Sequence, residues 1–288
     1  MASKNVLAVI GGSGLYDIPG LTDVEEVRVE TPFGPPSDAI VRGRLKDTTL
    51  LFLPRHGRGH RIPPHKIDSR ANICALKKLG ATHVLSISAV GSMKEAIAPG
   101  DFVVVDQFID LTKGRTSTFF GDGLVGHVGF ADPVCADLSA ALGAAARRSG
   151  AKVHEGGTYV CIEGPQFSTR AESRLYRSWD VSVIGMTAMP EAKLAREAEL
   201  PYALLALATD YDCWHQAEQD VTVEAVLKVL AENVARARRA VSELAPALPD
   251  PAASAATGAL AAALMTARER IEPATLSQLD WLVGKYIH

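Results

Sequence analysis

At 288 residues, 47% hydrophobic and 22% charged, the chain is long enough to bury a sizeable α/β core. A formal charge of -3 offers no basic excess to hold a phosphodiester backbone, so nucleic acid is not an expected partner. No stretch approaches the roughly 18 uninterrupted apolar residues of a membrane span, so no membrane partner is expected.

The apolar run Val6 to Ile10 is too short for a signal peptide and lacks a cleavage site, so a cytoplasmic protein is expected. It predicts a first strand, and the GGSGL turn that follows, Gly11 to Leu15, frees backbone N–H groups for an anion. Ser13 adds a hydroxyl donor there, although a tight turn needing positive φ explains the glycines equally well. A dinucleotide fingerprint is not met, because Asp17 stands where its third glycine belongs.

Thr49 to Arg55 predicts another strand, ending in PRHGRGHRIPPH. Arg55, His56, Arg58, His60, Arg61 and His65 lie within this segment, whose alternatives are a solvated basic loop, a metal site or an anion site. Metal is disfavoured, since arginines repel a cation and no carboxylate stands among the histidines. Forked arginine donors at a strand end suit phosphate. Lys66 to Leu79 has helical periodicity, and the strand His83 to Val90 ends in SISAVGS. There Ser88 can donate its hydroxyl and Ala89 its backbone N–H, unless this is simply a buried strand entering a turn.

A strand is predicted over Asp101 to Ile109, a helix over Cys135 to Arg148, and a strand from Thr158 that runs into IEGPQFSTRAES. Phe167 offers a flat wall and Ser168 a donor beside it, with Thr169 and Glu172 spaced as a capping box for the helix Thr169 to Ser178. The strand Val181 to Thr187 brings Met186 as a soft surface and Thr187 as another hydroxyl, before a helix over Pro190 to Glu199. Tyr202 to Asp210, the last strand, ends in LATDYDCW. On an extended chain Asp210 and Asp212 share a face and can address one ligand edge; a solvated turn or cap is the alternative.

The strongest helical stripe runs from Val223 through Val226, Leu227, Leu230, Val234, Ala237 and Val241 to Leu244. After it come a Pro- and Ala-rich linker, a predicted Ala-rich helix over Ser254 to Arg270 and a last helix after Pro273. Cys74, Cys135, Cys161 and Cys213 show no CxxC spacing, which argues for reduced thiols without a structural metal. Strands alternating with helices argue a single α/β domain with a central mixed sheet over residues 1–246. Residues 247–288 form an appendage on that core or on a neighbouring subunit.

Taken together and in order, VIGGSGLYD, TPFGPPSDA, PRHGRGH, RANICALKKLG, GSMKEAIAPGDFVVVDQFID, IEGPQFSTRAES, MTAMPEAKLAREA and ATDYDCW resemble the S-methyl-5'-thioadenosine phosphorylases of the trimeric purine-nucleoside phosphorylase superfamily. The resemblance covers roughly residues 5 to 245 and implies a purine-nucleoside-phosphorylase-like fold. It also implies inorganic phosphate as co-substrate with no cofactor, and a homotrimer or dimer of trimers. It assigns phosphate to Ser13, Arg55, His56, Ser88, Ala89 and Thr187, with threonine more usual in the family where Ser13 and Ser88 stand. Met186 is implied at the ribose and Phe167 at the base and sugar face, while Ser168, Thr209, Asp210 and Asp212 line the purine. His127 is implied to reach a neighbour's thioalkyl pocket, floored by Val223, Val226 and Leu227.

Phosphorolysis places positive charge on the sugar and negative charge on the leaving purine. Asp210 is therefore expected to supply a proton or hydrogen bond at N7, and Asp212 to accept from the exocyclic amine. A 6-oxopurine or methylthioinosine phosphorylase is the main alternative; such relatives carry asparagine in place of Asp210. A nucleosidase or a non-catalytic nucleoside-binding module is the other.

Overall fold

A computed structural model describes residues 5–12, 14–121, 123–215 and 223–287, with the side chains of 223–228 outside the described set. The chain opens with β1 (Val6–Gly11), β2 (Thr22–Val27), β3 (Ile40–Leu45) and β4 (Thr48–Pro54), then α1 (Ser69–Lys78) and the long β5 (His83–Ser92). There follow β6 (Phe102–Val105), β7 (Gln107–Asp110), α2 (Ala136–Arg148), β8 (Val153–Glu155) and β9 (Thr158–Cys161). Next are α3 (Arg170–Ser178), β10 (Val183–Gly185), α4 (Glu191–Glu197) and β11 (Tyr202–Asp210), then α5 (Val223–Leu244) and α6 (Pro273–Ile287).

The described strands make one mixed sheet of eleven, in the order β2-β3-β4-β1-β5-β10-β9-β7, with β11 joining β5 to β6 and β6 joining β8. Parallel pairing aligns Gly11 with Pro54 and Ala206 with Ser88, so β1, β4, β5 and β11 end on one side of the sheet. Ligands in α/β sheets gather beyond such carboxyl ends. Alternation along the strands splits the core between two faces. On β1, Leu7 and Val9 pack with Leu138 and Leu142 of α2 and Val241 of α5, whereas Ala8 and Ile10 pack with Ile73 of α1 and Leu194 of α4.

Two expectations need correction. Asp101 to Ile109 is not one strand: it divides at Asp106, because Phe102–Val105 pairs with β11 and β8 while Gln107–Asp110 pairs with β9. The Asp106 carboxylate accepts from Gly157 N at 2.9 Å at this change of neighbour. The Ala-rich stretch Ser254 to Arg270 is likewise not an α-helix but a chain of turns that ends in one 3-10 segment, Arg268–Arg270. Tertiary bonds claim the backbone groups a helix would use: Leu260 N donates to Glu199, Ala263 O accepts from His127 N, and Met265 N donates to Val125 O.

The same carboxylate anchors the rest of the tail. Glu199 accepts from Lys285 Nζ at 2.6 Å and Tyr286 OH at 2.5 Å. Burial by itself would raise its pKa, but these bonds and the Lys285 charge hold it below the ordinary glutamate value. Trp281 of α6 packs edge-on against Phe119, 5.0 Å between centroids, and Phe33. All four cysteines are free, and burial raises the thiol pKa of Cys74 and Cys161 to about 12. Among the described residues, no helix is long and apolar enough to cross a membrane.

Candidate active site

A cavity of about 740 Å³ opens where β1, β4, β5, β10 and β11 end, and it draws its wall from nearly every segment singled out in the sequence. Its wall includes Arg55, His56, Ser88, Ala89 and Thr187, together with Phe167, Ser168, Thr209, Asp210 and Asp212 and with Met186. Ser13 lies outside the described residues, as do the side chains of Val223, Val226 and Leu227. Farther along the same helix, Leu230 and Val234 form an apolar part of the wall.

Arg55 is placed by the register of β1 and β4: one residue beyond the paired Gly11 and Pro54, its N–H continues the ladder to Gly11 O at 2.9 Å. Its fork is not free for a ligand, contrary to the expectation of forked donors. Nε donates to Glu191 Oε2 at 2.9 Å, Nη1 to Ile87 O at 3.0 Å, and Nη2 to Ser86 Oγ at 2.6 Å with Ile10 O at 3.2 Å. Among the described residues, one Nη1 hydrogen has no protein acceptor. Burial opposes the charge, yet Glu191 more than offsets this, so the guanidinium pKa is raised.

His56 stacks on His60 at 4.1 Å, and its Nδ1 lies 2.9 Å from Ile62 O. A carbonyl can only accept, so Nδ1 carries the hydrogen and Nε2 of the neutral ring keeps a lone pair. Burial, assisted by the neighbouring Arg55 charge, lowers its pKa to about 4.

Behind them Ser88 Oγ sits 3.2 Å from Thr187 Oγ1 and 3.3 Å from the buried Tyr159 hydroxyl. The Tyr159 ring requires glycine at 185: a Cβ there would lie 2.0 Å from its hydroxyl oxygen. These side chains come from β5, β9 and the end of β10, so the hydroxyl group exists only once the sheet has formed.

Asp210 and Asp212 both face the cavity, but not from an extended chain. The backbone turns between them, with Asp212 at φ 52° starting a 3-10 turn, and Asp212 N donates to Asp210 Oδ1 at 2.8 Å. Thr209 Oγ1 lies 2.7 Å from Asp210 Oδ2. Asp212 accepts from Ser168 Oγ at 3.1 Å and from Ser173 Oγ at 2.5 Å. Thr169 and Glu172 close the expected capping box at the start of α3, which holds Ser173 beside the aspartate. Phe167 stands 85% exposed at the mouth. His127 does not reach this cavity; it lies in a loop paired with the tail.

Glu191, Tyr159 and Arg115 were missed in the sequence. Glu191 looks like an ordinary first-turn helix acid, Tyr159 like a core aromatic, and Arg115 lies in an aperiodic segment.

The model of the phosphorylase superfamily matches residues 6–246. S-methyl-5'-thioadenosine phosphorylase of Geobacter sulfurreducens is 54% identical over 285 residues, covering 99% of this chain and 100% of that one. The chain belongs to this family. A methylthioadenosine phosphorylase crystal structure sourced from an antarctic soil metagenomic library superimposes with a TM-score of 0.93 at 47% identity, covering 97% of this chain and 99% of that one. A variant of the adenosine/methylthioadenosine phosphorylase of Schistosoma mansoni, solved with methylthioadenosine, gives a TM-score of 0.80 at 39% identity, covering 86% and 93%. The mixed sheet with flanking helices is thus the fold of this family, as the sequence led us to expect.

Proposed function

We propose that the chain is an S-methyl-5'-thioadenosine phosphorylase, a pentosyltransferase that yields adenine and 5-methylthioribose 1-phosphate. The observation that carries this reading is that one cavity is lined by an arginine, a histidine and two hydroxyls together with an aspartate pair. Phosphate binds to Ser13, Arg55, His56, Ser88, Ala89 and Thr187, using the spare Nη1 hydrogen of Arg55 and the Ser88 and Thr187 hydroxyls. Because Nε2 of neutral His56 is an acceptor, a hydroxyl of protonated phosphate donates to it. Met186 lies under the ribose and Phe167 flanks the base and sugar.

A phosphate oxygen attacks the anomeric carbon as the bond to purine N9 breaks, and the bonding pair moves into the purine ring. Phosphate stabilises the cationic sugar, and Asp210 supplies the proton or hydrogen bond that N7 gains. Two serine hydroxyls donating to Asp212 suit it to accept from the exocyclic amine with Ser168 and Thr209 alongside. The apolar wall formed by Leu230 and Val234 receives the thioalkyl group, a role the family resemblance extends to Val223, Val226 and Leu227; a 5'-hydroxyl left unpaired there costs about 1–3 kcal/mol.

The enzyme works in the cytoplasm as a homotrimer, without a cofactor, and His127 completes a neighbour's 5' pocket. The exposed Phe167 ring at the mouth supports cover by another subunit. The test is a panel of methylthioadenosine, adenosine, inosine and methylthioinosine with phosphate. Methylthioadenosine should have the highest kcat/KM, and preference for a 6-oxopurine would overturn the assignment.

A further inference from the structure

Between β9 and β10 the ladder stops at Cys161 and Gly185, with one last bond from Ile162 N to Gly185 O at 2.9 Å. Beyond it the two chains diverge, one toward Phe167 and Ser168 and the other through Met186 and Thr187. The carbonyls past the divergence have lost their strand partners, and a buried carbonyl without a donor is costly. A single side chain supplies the donors. Arg115, five residues past the end of β7, folds back between them with its side chain only 4% exposed.

On one side Arg115 donates from Nη2 to Glu163 O at 2.6 Å and Ile162 O at 3.4 Å. On the other, Nη1 donates to Met186 O and Met189 O, each at 2.7 Å. Nε lies 3.5 Å from Glu163 Oε1, while Glu163 Oε2 accepts from Lys113 N at 2.7 Å. The two carbonyls held by Nη1 bracket Thr187, and the pair held by Nη2 opens the corner that carries Phe167. All five N–H groups of the planar fork are thus used on protein acceptors, so Arg115 is not a ligand of substrate or phosphate.

We propose that Arg115 is a positioning residue for phosphorolysis: it replaces the missing β9–β10 ladder and sets the separation between the base-facing Phe167–Ser168 corner and the phosphate-facing Thr187. This rests on reading the cavity as a nucleoside and phosphate site. Both reactants must be held in line across the ribose, and a displacement of about 1 Å can cost on the order of 100-fold in rate. A rigid five-donor fork holds four carbonyls at once; an ammonium in its place is a point donor for a subset of them.

The test compares wild type, Arg115→Ala and Arg115→Lys in full kinetics with methylthioadenosine and phosphate, with and without added ethylguanidine. Arg115→Ala should lose about 100-fold in kcat/KM, mostly in kcat, and regain at least tenfold with ethylguanidine at concentrations that leave wild type unchanged. Arg115→Lys should fall between the two. Should Arg115→Ala not fold, a Lys variant with unchanged kcat/KM would overturn the proposal, and one with reduced kcat would support it. A folded Ala variant within threefold of wild type, or one whose loss ethylguanidine does not relieve, would also overturn it. A wild type without phosphorolytic activity would overturn the reading of the site and this inference with it, whereas an active wild type and an unimpaired variant would overturn the role of Arg115 alone.

Discussion

Arg55 and Glu191 bury opposite charges side by side, each with its side chain 3% exposed, directly beneath the cavity. Removing one partner from such a pair strands the other. Glu191→Ala should therefore cost about 3–5 kcal/mol in urea unfolding and raise KM for phosphate; a loss under about 1 kcal/mol would show that Arg55 does not need its partner. In the proposed function, base choice is assigned to Asp210. Asp210→Asn substitutes a neutral amide for an ionisable acid, so the ratio of kcat/KM for methylthioadenosine over methylthioinosine should fall by at least tenfold. An unchanged ratio would leave Asp212 as the determinant. At this scale the sequence was informative where several chemistry-bearing residues sat at a strand end, as at Arg55–His56 and Asp210–Asp212. It was silent where a role depends on a partner distant along the chain: nothing near Glu191 announces that its carboxylate meets Arg55, 136 residues away.

Among the elements, α4 does more than its length suggests. Its Glu191 holds Arg55, Lys193 meets Asp110 at 2.5 Å, Arg196 holds Gly129 O and Asp132 O, and Glu197 accepts from Thr118 Oγ1 and Phe119 N, each at 2.7 Å. The helix thus ties the Arg55 wall of the cavity to the loop that carries His127. The next anchor, Glu199, secures the tail, whose aromatic contact is Trp281 on Phe119. Trp281→Ala should destabilise the protein by roughly 3 kcal/mol, read as a lower urea midpoint at unchanged slope; an unchanged midpoint would make the tail an independent appendage. Helices with one apolar stripe, such as α2 and α5, were legible because their burial follows a 3.6-residue period. The Ala-rich stretch at Ser254 to Arg270 was misread because propensity favoured a helix, whereas hydrogen bonds to Val125, His127 and Glu199 fixed its backbone otherwise. Exposed β2 and the three-residue β8 gave no apolar pattern to read.

For the whole molecule, two imidazoles contribute to the acid limb of stability, His83 fully buried and His56 partly so. Burial lowers the pKa of both His83 and His56 to about 4 from an ordinary 6.5. Between those values the unfolded chain binds more protons than the folded one, so stability is full above pH 6.5 and is lost as pH falls toward 4. At pH 5 the fully buried His83 should have cost roughly 2 kcal/mol relative to pH 7, and the partly exposed His56 less, because solvent screens it. His83→Gln should flatten that dependence in urea titrations, and an unchanged slope would remove His83 as a cause. Assembly is tested by light scattering, which should give three times the chain mass, with His127→Ala raising KM for methylthioadenosine in an intact trimer. A fully active monomer would contradict shared pockets.

The most direct test of the account follows adenine release from methylthioadenosine alongside ³¹P NMR of the phosphate pool. One equivalent of a sugar 1-phosphate should form for each adenine, with no release in phosphate-free buffer. Adenine released at an undiminished rate without phosphate, with free methylthioribose as the co-product, would contradict phosphorolysis.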